Sequence, residues 1–207
     1  MAIKTEFMIG LLQKSLECNG TADFRGNQVL VGEIVAMRHL FWSIVTAMTL
    51  DPEPSLGGSV VPRLEYAAAA RIYTNFAWDR IRQIYERLLG GAPIINVSSY
   101  RDLLNPEVQP ILERYLRGTG MPAKERSKLY KLVWDAMYSE FAGRHGLYEL
   151  NYAGNHEQKY LDTLSWAEKR GLMDQFEALV DECLAQYDLD GWKDPTWSWS
   201  PDGSAES

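Results

Sequence analysis

Apolar residues recur along this chain at the helical period and almost nowhere at the period of two that marks a strand. Ile3, Phe7, Met8, Leu11, Leu12 and Leu16 make the first stripe, and Gly20 supplies its stop. After "NGTADFRGN" comes "QVLVGEIVAMRHLFWSIVTAMTL", apolar on most sides and ended by "DPEP". A helix so apolar around its circumference is predicted at the centre of a bundle. "SLGGSVVPR" reads as a loop. "LEYAAAARIYTNFAWDRIRQIYERLLGG" predicts a long helix packed through Tyr66, Ile72, Phe76, Ile81 and Leu88. "APIINVSSYRD" holds a short β-like run, too little for a sheet, with Ser98, Ser99 and Tyr100 reading as a helix cap.

"NPEVQPILERYLRG" predicts a short helix with Pro106 in its first turn. "PAKERSKLYKLVWDAMYSEFAG" predicts an amphipathic helix through Leu129, Leu132, Val133, Ala136, Met137 and Phe141. "KYLDTLSWAEKRG" and "LMDQFEALVDECLAQY" read as a helical hairpin pinched at Gly171. The expected fold class is all-α, an up-and-down helical bundle over residues 1–192. Residues 193–207 form a tail without helical period, expected to be partly disordered. Trp192, Trp197 and Trp199 form an aromatic arm expected to pack on the bundle or on a neighbouring subunit.

Composition narrows the function classes. At 207 residues the chain suits one sizeable domain or at most two small ones. A net charge of −7 argues against nucleic acid as the main partner. The acid is late: residues 149–207 carry 13 Asp+Glu against 4 Lys+Arg, leaving the earlier part slightly basic. No uninterrupted apolar run approaches the roughly 20 residues of a membrane span. The start does not read as a signal peptide, and the expected location is cytoplasmic. Cys18 and Cys183 lie far apart without CxxC spacing, and buried free thiols are expected.

The densest polar stretch is "GRHGLYELNYAGNHEQ", residues 143–158. His145 and Glu149 share a helical face and His156 follows, but the two-histidine spacing of a zinc helix is missing, so no metal is expected. Asn155 and Gln158 fit a variant of the capping box, each side chain satisfying a backbone N–H at the other position. A helix start is also a ready anion site, with Arg144 and His145 just upstream. Arg25 and Gln28 in "DFRGNQ" allow the same pair of readings, structural cap or ligand contact. His39 reads as a core or interface histidine. No GxSxG elbow is present, and "LGGS" and "LLGGAP" lack the lysine of a phosphate loop.

"FRGNQ…GEIVAMRHLFW", "DPEP", "KLVWDAMYSEFAGRHGLYELNYAGNHEQ" and "ALVDECLAQYDLDGW" resemble the C-terminal domain of the 4-hydroxyphenylacetate 3-monooxygenase family. These flavin-dependent aromatic hydroxylases are related to 4-hydroxybutyryl-CoA dehydratase and, more distantly, to acyl-CoA dehydrogenases. The resemblance runs from about Phe7 to Trp192 and implies the acyl-CoA dehydrogenase-like C-terminal bundle. It implies reduced FAD from a separate flavin reductase, an aromatic small-molecule substrate, and dimers or tetramers, homo- or hetero-oligomeric. It also implies a complementary N-terminal/β-domain polypeptide, this chain being a separate subunit or one domain of a longer protein, inactive alone. By the same resemblance Arg25 and Gln28 would meet the pyrophosphate or ribose. Asn155, with the helix start at Gln158, would meet the flavin from the other side, and Arg144, His145 and Tyr148 would line the cofactor or the subunit seam. One departure stands out: the family usually carries glutamate after "RH", and here the residue is Gly146. The alternatives are a non-catalytic assembly bundle or a component of a flavin-dependent dehydratase.

Overall fold

The computed structural model describes residues 1–152 and 154–187. The Trp-containing tail, Trp192, Trp197 and Trp199 lie outside these residues. The chain groups into two compact units, Met1–Tyr160 and Leu161–Ser207. The elements of the first unit are α1 (Ala2–Asn19), α2 (Arg25–Leu50), β1 (Pro52–Pro54), β2 (Val60–Pro62), α3 (Leu64–Leu89), α4 (Gln109–Leu116), α5 (Ala123–Met137) and α6 (Glu140–Asn151). Helix α7 (His156–Lys169) begins in that unit and ends in the second, which also holds α8 (Leu172–Leu184). The described architecture is the expected all-α bundle. Gly20 and Gly171 take the left-handed backbone at the predicted stops.

The central helix is α1, not α2. It packs against α2, α3 and α5, and Met8, Leu12 and Leu16 are fully buried. Ile3 and Phe7 of the predicted stripe face outward. Tyr85 of α3 reaches into this core and donates its hydroxyl to the Met8 carbonyl at 2.5 Å. Tyr130 of α5 does the same to Asn19 Oδ1 at 2.7 Å. The buried hydroxyl of Ser15 donates to Leu11 O, four residues back in its own helix, so no donor is stranded there.

In α2 only Ile34 and Phe41 are buried, while Val29, Leu40, Val45 and Leu50 stay exposed. Periodicity shows that a face is apolar, not what covers it. By length and composition alone α2 could cross a membrane. Two of its charged residues, Glu33 and Arg38, are tied into the bundle instead. Glu33 accepts from Arg80 of α3 at 2.6 and 2.8 Å, and Arg38 donates to Glu6 of α1 at 2.8 Å. His39 is exposed beside Arg38 rather than in the core.

Other expectations need correction. The "SLGGSVVPR" segment closes a small antiparallel hairpin, with Pro52 opposite Pro62 and Glu53 opposite Val61. Arg63 holds its base through Asp51 at 2.7 Å, and the Tyr66 hydroxyl donates to the same carboxylate at 2.8 Å. In α3 the packed residues are Ala77, Trp78, Ile81, Ile84 and Tyr85, whereas Phe76 is 60 % exposed. Helix α4 starts at Gln109 with Pro110, not Pro106, in its first turn. The single helix expected over residues 122–143 is broken after Met137, because the Ser139 hydroxyl accepts the Ala142 N–H at 3.1 Å and starts α6 anew. Leu132 and Phe141 of the predicted stripe are exposed. Cys18 is buried as expected, but Cys183 is exposed.

Candidate functional site

Helix α6 carries most of the polar stretch. Arg144 is exposed and ion-paired with Glu140 one turn earlier. The His145 ring stacks on Phe141 with centroids 6.0 Å apart, and its Nε2 lies 3.3 Å from Glu149 Oε1. Glu149 also accepts from Lys4 of α1 at 3.4 Å. The Lys4 ammonium sits 3.8 Å from the centre of the Trp78 ring. Burial pushes the Lys4 amine below its usual range, and Glu149 pulls it back up. Gly146 faces Trp78: a Cβ there would meet only the indole Nε1, at 3.4 Å. That N–H is buried and has no acceptor among the described residues.

The end of α6 is held by Arg71, which α3 buries to 9 % exposure. Its Nη2 donates to Leu150 O at 2.6 Å and its Nη1 to Asn75 Oδ1 at 2.8 Å. His156 Nε2 lies 2.9 Å from the same Leu150 carbonyl, so that nitrogen carries the proton. A carbonyl left open at the end of α6 is thereby satisfied twice. The Arg71 guanidinium stands 4.4 Å from the centre of the Tyr152 ring, and Tyr148 stacks on Tyr152 at 5.5 Å. Tyr148, Tyr152 and Arg71 share with Phe41 and Val45 the wall of a cavity of about 430 Å³.

Asn155 caps α7 by accepting the Glu157 N–H at 2.9 Å, one residue short of the predicted Gln158. Its amide group has no acceptor among the described residues. The histidines do not converge: His145 serves Glu149 and His156 serves Leu150.

Arg25 and Gln28 sit elsewhere. Asn27 donates to Thr21 O at 2.8 Å and fixes the turn into α2. Phe24 at the cap position contributes no side-chain bond to the first N–H groups. Arg25 and Gln28 are exposed, without a side-chain partner among the described residues. From Gln28 to Phe41, which lines the Tyr148 cavity, α2 rises by about 20 Å at 1.5 Å per residue. Arg25 and Gln28 therefore occupy one end of α2, and Tyr148 with the end of α6 the other. Sequence reasoning missed Arg71, Lys4, Trp78 and Tyr152. Their partners are as distant as 79 and 145 residues in sequence, and no local motif signals such pairs.

Comparison with known proteins gives this arrangement a context. The chain is 46 % identical over 197 residues to the pyoverdin chromophore biosynthetic protein PvcC of Pseudomonas aeruginosa, covering 95 % of this chain and 39 % of that protein. It is 42 % identical to the 4-hydroxyphenylacetate 3-monooxygenase oxygenase component of Escherichia coli, over 94 % of this chain and 38 % of the relative. Its length thus spans about two fifths of these relatives. Among solved structures it matches the oxygenase component of 4-hydroxyphenylacetate 3-monooxygenase complexed with FAD, with a TM-score of 0.81, 26 % identity, and coverage of 90 % of this chain and 39 % of that one. An archaeal 4-hydroxybutyryl-CoA dehydratase from N. maritimus shares the fold at a TM-score of 0.72 and 16 % identity, over 84 % of this chain and 35 % of that one. The model of the 4-hydroxyphenylacetate 3-hydroxylase C-terminal family matches residues 1–181, and the chain belongs to that family.

Proposed function

We propose that this chain is the helical, FAD-contacting and oligomer-forming component of a flavin-dependent aromatic monooxygenase. A complementary N-terminal and β-domain polypeptide and a flavin reductase complete the cytoplasmic system. The observation that carries this reading is the match to the FAD-complexed oxygenase component over 90 % of this chain. Reduced FAD, when bound, supplies the electrons for oxygen-dependent hydroxylation of a phenolic ring.

The residues present fit such a cofactor. The start of α2 offers the positive end of a long helix, no acidic residue in its first turn, and the unpaired Arg25 and Gln28 for a pyrophosphate or ribose. At the other end of the bundle Asn155 keeps a free amide, and Tyr148 stands over the Arg71–Tyr152 stack. Arg144 and His145, tied to Glu140 and Glu149, orient the seam rather than donate to the ligand. Gln158, in the first turn of α7, faces the same junction in this reading. Since about 20 Å of α2 separates the two ends, one flavin site takes Arg25 and Gln28 from one chain and Asn155 from another. The exposed apolar residues of α2 and α6, Leu40, Val45 and Leu147 among them, supply the surface that such assembly buries.

The test is co-expression with a polypeptide carrying the N-terminal and β-domains, followed by titration of the complex and of this chain alone with reduced FAD. Binding by the complex and no hydroxylation by the chain alone are expected. A complex that forms but takes up no flavin overturns the reading.

A further inference from the structure

A cavity of about 810 Å³ lies where the end of α1 meets the turn between α4 and α5. Its wall includes Cys18, Asn19, Glu113, Arg117, Thr119 and Arg126. The turn is pinned tightly onto α1. Thr119 donates its N–H to Cys18 O at 2.8 Å, and Gly118 donates to Met121 O at 2.8 Å. A Cβ at Gly118 would stand 2.4 Å from Cys18 Sγ and 2.8 Å from Cys18 O, so only glycine permits this approach. The turn leads into the start of α5, where Glu113 accepts the Ala123 N–H at 2.9 Å.

Two cations line this space with donors to spare. Arg126 is 9 % exposed, donates Nη1 to Ile95 O at 3.2 Å, and stacks its guanidinium 4.6 Å from the Tyr130 ring centre. Its other N–H groups have no acceptor among the described residues, although the side chain is held in place. Arg117 has no ion pair among the described residues. Burial pushes the Cys18 thiol above its usual range, with Arg126 pulling the other way, so the sulfur stays neutral near pH 7. Glu113 is the opposing carboxylate, and it is already engaged with the helix start. Glu125 in the first turn of α5 is paired with Lys128, so on the cavity wall two guanidinium groups face the single carboxylate of Glu113.

We infer that this cavity binds an anionic group of a small molecule, a phosphate or a carboxylate, gripped by Arg126 and Arg117 at the start of α5. Arginine suits both anions, because its planar fork donates two parallel hydrogen bonds. None of Arg25, Gln28 and Asn155 lines this cavity, and the inference does not rest on the flavin reading.

The experiment is a ¹⁵N–¹H NMR titration of the 207-residue chain with inorganic phosphate, with succinate, and with chloride at matched ionic strength. Saturable shifts of the Thr119 and Gly120 amides and of the Arg126 Nε–H are expected with phosphate or succinate and not with chloride. The tighter of the two tells whether the natural group is a phosphate or a carboxylate. Arg117→Gln, at an exposed unpaired position, is expected to weaken binding by roughly tenfold. Arg126→Lys is expected to weaken it further with helix content unchanged by circular dichroism. Shifts that fail to saturate, that chloride reproduces, or that survive Arg117→Gln overturn the proposal, and Arg117→Gln decides even where Arg126→Lys fails to fold.

Discussion

Gly146 lies inside α6, where glycine costs the helix about 1 kcal/mol relative to alanine. The space for a Cβ is open apart from the Trp78 indole nitrogen at 3.4 Å. Gly146→Ala is therefore expected to raise the unfolding free energy by about 1 kcal/mol, read from urea melts. A loss of stability would mean that the Trp78 edge cannot give way. Gly20 is the opposite case: φ is +69° and a Cβ would stand 2.7 Å from Thr119 Oγ1. Gly20→Ala is expected to cost about 1–2 kcal/mol in the same melts. Acid sensitivity also has a residue-scale cause. Hydrogen bonds from Arg38 and Trp42 hold the Glu6 carboxyl below its usual range, and Arg80 does the same for Glu33. Between the lowered and the usual values the unfolded chain binds more protons, so stability climbs with pH there and is lost as pH falls through the folded values. Glu6→Gln is expected to flatten that acid limb in melts taken from neutral pH downward, and an unchanged limb would remove Glu6 from the cause.

At the scale of elements, what local patterning can encode was legible and what depends on distant partners was not. The α1 stripe with its stop at Gly20, the α7–α8 pair parted at Gly171, and the helical class all follow from periodicity and turn chemistry. The break between α5 and α6 was missed because the apolar period runs through it. Only the Ser139 cap, one hydroxyl on the Ala142 N–H, marks the restart. Misplacing α2 at the centre came from reading total hydrophobicity as burial within one chain. The candidate site was half legible: Asn155 does cap α7, but the clamp that holds the junction is Arg71, 79 residues from its carbonyl partner. Removing that clamp is expected to matter. Arg71→Gln should cost about 2 kcal/mol, the scale of a buried charged hydrogen bond. It should also speed amide hydrogen exchange around Leu150 and His156 more than in α1. Equal effects on both regions would assign Arg71 to general packing.

At the scale of the molecule, much of the most apolar helix is uncovered and the polar contacts lie at two distant ends, which supports the proposal that other chains complete the site. The family match and the coverage of about two fifths of the relatives' length fit that reading. Its central claim is that one flavin site is shared: Arg25 comes from one copy of this chain and Asn155 from a neighbour. The most direct measurement is flavin binding by mixed assemblies, with the complementary polypeptide present. Arg25→Ala and Asn155→Ala chains are each expected to bind poorly alone. Mixed one to one and reassembled, they should restore binding at about a quarter of the sites of a two-fold dimer, where both intact residues meet across one seam. Mixtures that bind no more flavin than either variant alone would contradict a shared site.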